Sequence, residues 1–236
     1  MNIFKTNKKI KTISIVIGCI FLALVPIIWW YWATENNKLS AILSSLIAGL
    51  VIGIIQLIIA YQDYKQTEKL KELKLIEVLY NRDNREFYKN FIKQAQQNIK
   101  IMGVTARRFF EHFADDDINA SADAKVLLEV LSRNIDVKIL LPASDYVDED
   151  KKNDVLKVRR HIEKIKEDNP NYLLNVKYFE HTAAHSIFNV DDECIVGPVF
   201  PEVESKHTPA LHLRSSSPLA KKYLSYFEDE WKKAIQ

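Results

Sequence analysis

The sequence has little cysteine, with only Cys19 and Cys194 among 236 residues. These two residues lie far apart in segments of very different composition, which excludes a disulfide framework and a cysteine-rich zinc module. The sequence also lacks a Walker loop, a dinucleotide-binding fingerprint, a His-Glu-x-x-His motif and a Cys-x-x-Cys motif. Unpaired cysteines fit a reducing compartment, and no metal or cofactor is expected.

The chain also lacks a strong excess of either charge, since its net charge is +2. Residues 1–61 contain five basic residues and one acidic residue, which leaves residues 62–236 with a net charge of −2. A broad duplex-binding surface normally needs a basic face, so none is expected. The charge does not exclude a small pocket that binds a nucleotide or a short oligonucleotide. The acidic clusters at residues 115–117 and 148–150 are predicted to be solvated loops and helix caps.

Two long runs without charge occupy residues 13–32 and 40–61. About twenty apolar residues in a helix cover the ~30 Å hydrocarbon core of a bilayer, so both runs are predicted to be transmembrane helices. The first run ends in four aromatic residues (29–32) that suit a membrane interface, whereas a cleaved signal peptide ends in small residues. Basic residues precede the first run and follow the second (Lys5, Lys8, Lys9, Lys11, Lys65, Lys69, Lys71 and Lys74). We therefore expect a multi-pass protein of the inner membrane with both termini in the cytoplasm.

The second apolar run carries a small-residue stripe, in which Ala41, Ser45, Gly49 and Gly53 recur every four residues and Gln56 follows. Small residues allow helices to approach closely in lipid. One interpretation is that the stripe packs the second span on the first. The other is self-association as a dimer or tetramer, with Ser45, Gly49, Gly53 and Gln56 at the oligomer interface or pore.

The remaining chain divides into a connector and a domain. In residues 62–86 the apolar residues Leu70, Leu73, Ile76 and Leu79 recur at three- and four-residue steps, which predicts an amphipathic helix that continues from the second span. Residues 87–236 alternate helical and strand patterns. This alternation predicts an α/β domain with a mixed sheet, so the expected fold is a two-helix transmembrane hairpin, a helical connector and a cytosolic α/β domain.

Several motifs of the domain occur in a characteristic order. A strand that closes in Gly103 is followed by two phenylalanines, then by a Val-Lys-Ile-Leu-Leu-Pro strand, a strand that contains His185, and a C-terminal helix. This order resembles the phospholipase D-like superfamily over about residues 87–236. The superfamily motif is His-x-Lys followed by an aspartate after four intervening residues. Here His185 and Asp192 have that spacing, but Ile187 stands at the lysine position.

The resemblance implies a mechanism that this chain lacks in part. In the superfamily the histidine attacks phosphorus, the lysine stabilises charge on the phosphate oxygens, and a second histidine from another motif copy protonates the leaving group. Ile187 removes the cation where negative charge develops in the transition state, an electrostatic loss of several kcal/mol. We therefore expect no catalytic residue. His185 is a nucleophile only under the alternative of a dimer that pairs two copies of the motif.

A degenerate site of this kind can still bind phosphate. The candidate ligand-binding residues are Arg107, Arg108, His185, His212 and Arg214, because arginine and histidine donate hydrogen bonds to phosphate oxygens. His212 and Arg214 are expected on one face of a strand. The alternative is that Arg107 and Arg108 pair with the acidic residues 115–117 and that His212 is a core histidine.

The favoured hypothesis is an oligomeric membrane effector whose cytosolic domain binds a nucleotide or short oligonucleotide and controls a channel or a permeabilising assembly. In architecture this is similar to the two-span effectors of antiphage systems driven by a nucleotidyltransferase, such as CBASS and Hailong, so a nucleotidyltransferase is an expected functional partner. The alternatives are a membrane-anchored phosphodiesterase or nuclease that acts as a dimer through His185, and a membrane adaptor without a ligand.

Overall fold

The computed structural model describes residues 3–117, 119–200 and 203–235, with backbone alone for residues 3–14, 17, 69 and 70. The chain forms two compact units, Met1–Leu70 and Lys71–Gln236. The side chains of Lys5, Lys8, Lys9 and Lys11, on which the predicted orientation partly depends, lie outside the described part.

The first unit is built from two long helices, α1 (Ile3–Ala33) and the greater part of α2 (Asn37–Leu73). By length and composition, one helix of the described chain, α2, is long and apolar enough to cross a membrane. In α1 the described apolar portion is shorter, at Gly18–Ala33. Leu24 of α1 and Leu43 and Ile54 of α2 are buried, whereas most other apolar side chains of both helices are exposed.

The second unit is a seven-stranded mixed sheet covered by helices, as the alternating pattern predicts. Its strands are β1 (Leu75–Leu79), β2 (Asn98–Met102), β3 (Asp136–Pro142), β4 (Leu174–Phe179), β5 (His185–Val190), β6 (Glu193–Pro198) and β7 (Ala210–Arg214). Its helices are α3 (Arg85–Lys93), α4 (Arg107–Phe113), α5 (Val126–Ser132), α6 (Glu149–Asp168) and α7 (Pro218–Lys233), with short 3-10 turns at Ala122–Lys125, Ser144–Tyr146 and Ser205–His207.

The strand order is β1-β7-β6-β5-β2-β3-β4, with β2, β3 and β4 parallel and the other neighbours antiparallel. One face of the sheet packs on α3, α4, α5 and α6, and the other packs on α7. Side chains alternate between the two faces along each strand. Phe188 therefore belongs with the first face, and Ile187 is buried in the second.

The prediction of a helix over residues 62–86 is wrong in its second half. Helix α2 ends at Leu73, Lys74 has a φ of 48°, and the chain then enters β1. The apolar residues of this segment fit a helix in isolation, but β1 pairs antiparallel with β7, more than 130 residues away. Long-range pairing of this kind overrides local periodicity.

Candidate functional site

The structure places Arg82 at the centre of a pocket that residue spacing did not indicate. Arg82 lies three residues after β1, and its guanidinium donates to the hydroxyls of Ser186 and Thr208. Its Nη2 also lies 3.4 Å from the carbonyl oxygen of Pro198. Its backbone N–H donates to the carbonyl of Lys206 at 2.7 Å. These contacts hold the side chain near the start of β5, the end of β6 and the residues that precede β7.

Arg82 has no carboxylate partner among the described residues. Its side chain is half-buried, all its acceptors are neutral oxygens, and its Nε–H is buried without an acceptor. Burial lowers the pKa of Arg82 from its ordinary value, although Tyr88 opposes this shift. A partly desolvated cation without a counter-charge is unfavourable by itself. The pocket is therefore suited to an anion that supplies the missing acceptor.

The arginine pocket, as we call it, lies between α3, α4 and the sheet and holds about 780 Å³ of empty space, including its open mouth. Its charged side chains are Arg82, Arg85, Arg108 and Asp83. The apolar and neutral lining includes Tyr88, Ile101, Met102, Phe109, Phe113, Ser186, Ile187, Phe188, Ile195 and Ser205. Three guanidinium groups against one carboxylate make the pocket cationic.

Ion pairing inside the pocket is confined to its rim. Arg108 forms an ion pair with Asp83, and its hydrogen bond holds the pKa of Asp83 below its ordinary value. Arg85 donates to the backbone carbonyl of His112 at 3.2 Å. Asp83 and Arg85 are exposed, so they can rearrange around a ligand, whereas Arg82 is fixed by three contacts.

Two further titratable groups of the pocket stay neutral near pH 7. Burial raises the pKa of Tyr88 to about 12, so its hydroxyl remains a hydrogen-bond donor. Burial, with help from Arg85 and Arg108, lowers the pKa of His112 from its ordinary value of 6.5. The pocket therefore presents fixed positive charge and neutral donors, which is the chemistry of anion binding.

Of the two arginines predicted from the sequence, Arg108 lies in this pocket and Arg107 does not. Arg107 donates to both carboxylate oxygens of Asp154 at 3.1 Å and lies 3.3 Å from Glu111. The hydrogen bond to Asp154 raises the pKa of Arg107. Neither arginine pairs with the acidic residues 115–117 in the described chain. Their different placement follows from α4, which begins at Arg107 and turns successive side chains to different sides.

His185 lies on the opposite face of the sheet from the arginine pocket. Its ring contacts Tyr223 and Tyr226 of α7 edge-on, with centroid distances of 5.3 and 5.7 Å. Its Nδ1 is buried and has no hydrogen-bond partner among the residues that the structure describes. Strand alternation explains the separation, because His185 and Ile187 face α7 while Ser186 between them faces Arg82. The expectation that His185 and the arginines share one cleft is therefore wrong.

The aspartate of the degenerate motif does not meet His185 either. Asp192 follows the far end of β5 and binds Arg214 at 2.9 Å. Its neighbour Asp191 has the structural role, accepting hydrogen bonds from the backbone N–H groups of Gln96, Gln97 and Asn98 at 2.7–2.9 Å.

His212 and Arg214 share one face of β7, as alternation predicts, and both pair with Glu193, with His212 buried and Arg214 exposed. His212 is 5% exposed, packs edge-on against Phe87 and Phe91, and bonds to Glu193 at 2.7 Å. Arg214 lies 2.9 Å from the same glutamate. The geometry of His212 therefore agrees with the alternative of a core histidine. His212 and Arg214 both lie outside the arginine pocket.

Among the described side chains, Ser45, Gly49, Gly53 and Gln56 do not mark the packed face of α2. An added Cβ at Gly49 or Gly53 would meet no atom within 4 Å, so both glycines border open space. Ser45 and Gln56 are exposed, and the Ser45 hydroxyl donates to the carbonyl of Ala41 at 2.9 Å. The packed face of α2 is instead marked by Leu43 and Ile54. Self-association through the stripe stays a prediction.

Arg82 and Arg85 were not among the predicted ligand-binding residues, because residues 62–86 were predicted to be a helical connector. A usable signal exists, since the run Arg-Asp-Asn-Arg at residues 82–85 spans the N-terminus of α3. Asn84 in that run is the N-cap of α3 and accepts from the Phe87 N–H at 3.0 Å. Within the described chain there is no group of three or more metal-ligating side chains.

Comparison with known proteins gives a structural likeness without a family assignment. No family model and no curated protein matches the chain. One similar solved structure is TrmBL2, described as an archaeal chromatin protein with a novel mode of DNA binding (14% identity, TM-score 0.45, 80% of this chain and 70% of that chain). Another is Nuc, a phospholipase D family member from Salmonella typhimurium (17%, 0.42, 67% and 94%). A third is NucT from Helicobacter pylori (15%, 0.39, 64% and 88%). At these identities and scores, no activity or ligand is transferred to this chain.

Proposed function

We propose that this chain is a membrane-anchored protein whose α/β domain binds a phosphate-bearing ligand in the arginine pocket and does not cleave it. The observation that carries the proposal is Arg82, a half-buried guanidinium with three neutral acceptors, one unpartnered N–H and no carboxylate partner in the described chain. Arg85 and Arg108 add positive charge at the mouth. A phosphate group offers several acceptor oxygens and matches the planar guanidinium fork.

The absence of cleavage is supported by the residues of the motif. Ile187 occupies the lysine position, and His185 faces α7 across the sheet from the pocket. A phosphate bound at Arg82 is therefore not presented to that histidine. A domain that binds a phosphate-bearing ligand without cleaving it can act as a sensor of that ligand.

The ligand class we favour is a nucleotide or a short oligonucleotide, such as a nucleotidyltransferase partner would make. The response we favour is the opening or closing of an oligomeric channel or permeabilising assembly in the inner membrane, as in antiphage defence. Chain connectivity supports this coupling, because only Lys74 separates α2 from β1, and Arg82 follows β1 by three residues. Differential affinity of the ligand for two arrangements of this segment would set the gate.

A second candidate, phosphodiester cleavage by a dimer, is favoured by one observation. Within the described chain, the Nδ1 atom of His185 is buried and has no hydrogen-bond partner. A second copy of the chain or a substrate could supply that partner. Metal-independent turnover that disappears in His185→Ala would establish it.

The test of the sensor proposal is calorimetric titration of the detergent-solubilised full chain with pyrophosphate and with mononucleotides. Arg82→Gln is expected to weaken binding by about tenfold or more, because a hydrogen bond to a charged group contributes about 1.5–3 kcal/mol. Arg107→Gln is the matched control, since Arg107 is paired with Asp154 outside the pocket. Equal affinity of both variants and the unchanged chain would refute the proposal.

A further inference from the structure

The outer edge of β4 forms a groove between two helices, and this groove is separate from the arginine pocket. Strand β4 is the last strand of the sheet, so one of its edges has no neighbouring strand. The groove is lined along β4 by residues 175–178, on one side by α6 and on the other by Trp231 of α7. We call it the edge groove.

The edge already accepts a strand-like partner at one position. The Tyr178 N–H donates to the Ile235 carbonyl at 2.8 Å, and the Ile235 N–H donates to the Tyr178 carbonyl at 3.0 Å. The pairing is antiparallel. Backbone groups in a strand point to alternate edges, so Val176 and Leu174 direct their N–H and C=O groups to the same side as Tyr178. Val176, which lines the edge groove, is therefore the next antiparallel position beyond the existing bridge, and Leu174 follows it on the same edge of β4.

The side chains around this edge are mostly cationic. On the α6 side, Arg159 lies over the Tyr178 ring at 5.4 Å and pairs with Glu163 at 3.1 Å, and the exposed Lys166 lies one turn further along the helix. On the α7 side, Lys177 lies over the Trp231 ring at 5.4 Å and donates to the Trp231 carbonyl at 2.9 Å. Among the described lining residues, three cations and one carboxylate leave the groove with a net positive charge, which Lys166 and Lys177 supply.

We propose that the edge groove binds an extended acidic peptide segment of a partner protein, which adds to β4 as an antiparallel strand. Backbone hydrogen bonds to Val176 and Leu174 would supply affinity, and alternate side chains would supply specificity. Peptide side chains opposite Val176 point toward Arg159 and Lys166, and those opposite Lys177 point toward that lysine and Trp231. Acidic residues would form a favourable cross-strand pair with Lys177 on β4 and an ion pair with Lys166 on α6.

Charge decides between this partner and a second copy of the chain. If β4 paired with β4 of another copy, the Lys177 side chains of the two strands would lie near each other. Like charges across a strand pair are destabilising. An acidic segment removes this repulsion and supplies counter-charge to both helix walls.

The experiment is fluorescence polarisation of the detergent-solubilised full chain with labelled synthetic peptides. The probe alternates glutamate and valine, one control replaces glutamate by lysine, and another carries N-methyl groups on alternate amides at the pairing edge. We expect binding of the first peptide alone. Lys166→Glu is expected to weaken it by about fivefold, because the substitution turns one exposed ion pair into a repulsion between like charges. Lys222→Glu, which makes the same charge change at an exposed position on α7 outside the groove, is expected to leave binding unchanged.

Three results would overturn the proposal. Equal binding of the N-methylated peptide would show that no strand is added, and equal binding of the lysine peptide would show that charge plays no part. A fall in particle mass as the acidic peptide is added would show that a second copy occupies the edge. None of these results bears on Arg82, so the edge groove and the arginine pocket are tested separately.

Discussion

The guanidinium of Arg82 is hydrogen-bonded to the hydroxyl of Ser186, the residue between His185 and Ile187 in the degenerate motif. The strand thus turns the middle residue of the motif toward the arginine pocket and its two flanking residues toward α7. The face that carries His185 and the face that carries the arginine pocket are therefore separated by the thickness of the sheet. The phosphate binding proposed for the pocket does not depend on the motif residues that have changed.

Asp191 is predicted to be a strong contributor to stability, although the motif spacing points to its neighbour. Replacing Asp191 by alanine leaves the N–H groups of Gln96, Gln97 and Asn98 without their acceptor, which should cost about 1–3 kcal/mol. Thermal unfolding of the solubilised chain, followed by tryptophan fluorescence, measures the loss. Asp192→Ala is the matched control, because that side chain is 78% exposed and an exposed ion pair contributes under about 1 kcal/mol. The account of this turn fails if both variants unfold at the same temperature.

Gly197 is predicted to tolerate no side chain. A Cβ at this position would lie 2.7 Å from the backbone carbonyl oxygen of Pro209, and the pairing of β6 with β7 prevents the two strands from separating. Overpacking of this kind costs about 1–3 kcal/mol. Gly197→Ala should therefore lower the unfolding temperature by several degrees, on the order of 2–8 °C. Gly103→Ala, where an added Cβ meets nothing within 4 Å, should leave it unchanged, and a similar drop in both variants would contradict the prediction.

The ion pair between His181 and Glu230 predicts a pH dependence of stability. Burial opposes the charge of His181, but the Thr182 carbonyl and Glu230 raise its pKa above the ordinary 6.5. Burial alone would raise the pKa of Glu230, but hydrogen bonds from His181 and Lys233 lower it below the ordinary 4.5. Because the pKa of His181 is raised in the folded state, this residue stabilises the fold fully below about pH 6.5, and its contribution is lost as the pH rises through the folded-state pKa. Because the pKa of Glu230 is lowered, this residue stabilises the fold above about pH 4.5, and its contribution is lost as the pH falls through the folded-state pKa.

Both contributions are therefore present together between these two values. His181→Gln should lower the unfolding temperature by about 1–2 °C near pH 6, since the pair is partly solvated, and by less near pH 8. His207→Gln, a change elsewhere in the domain, serves as control. If the difference in unfolding temperature between wild type and His181→Gln grows toward pH 8, the ion pair does not stabilise the fold in the predicted direction.

The small-residue stripe of α2 predicts that larger side chains at its two glycines reduce self-association of the chain. Gly49→Leu and Gly53→Leu fill space that allows close approach of another helix, so both are expected to reduce the particle mass of the solubilised protein. Ala48→Leu adds a similar volume on a different side of the same exposed helix and should leave the mass unchanged. If all three variants keep the mass of the unchanged chain, the stripe is not the oligomer interface.

Local patterns predicted most of the α/β domain, and long-range contacts determined what they missed. The mixed α/β sheet of residues 87–236 and its Val-Lys-Ile-Leu-Leu-Pro strand, which is β3, were predicted because their local apolar patterns agree with their final environment. Strand β1 was missed because its state depends on pairing with β7. The arginine pocket was missed for the same reason, since the contacts of Arg82 join positions more than 100 residues apart. Only the placement of Arg108 could be anticipated from its position after β2.

The most direct test is a joint measurement of binding and cleavage of a labelled tetranucleotide by wild type, Arg82→Gln and His185→Ala. The account predicts that wild type and His185→Ala bind the tetranucleotide equally, that Arg82→Gln binds about tenfold more weakly or worse, and that none of them releases a cleaved product. Cleavage by the wild type that disappears in His185→Ala, with binding unaffected by Arg82→Gln, would contradict it.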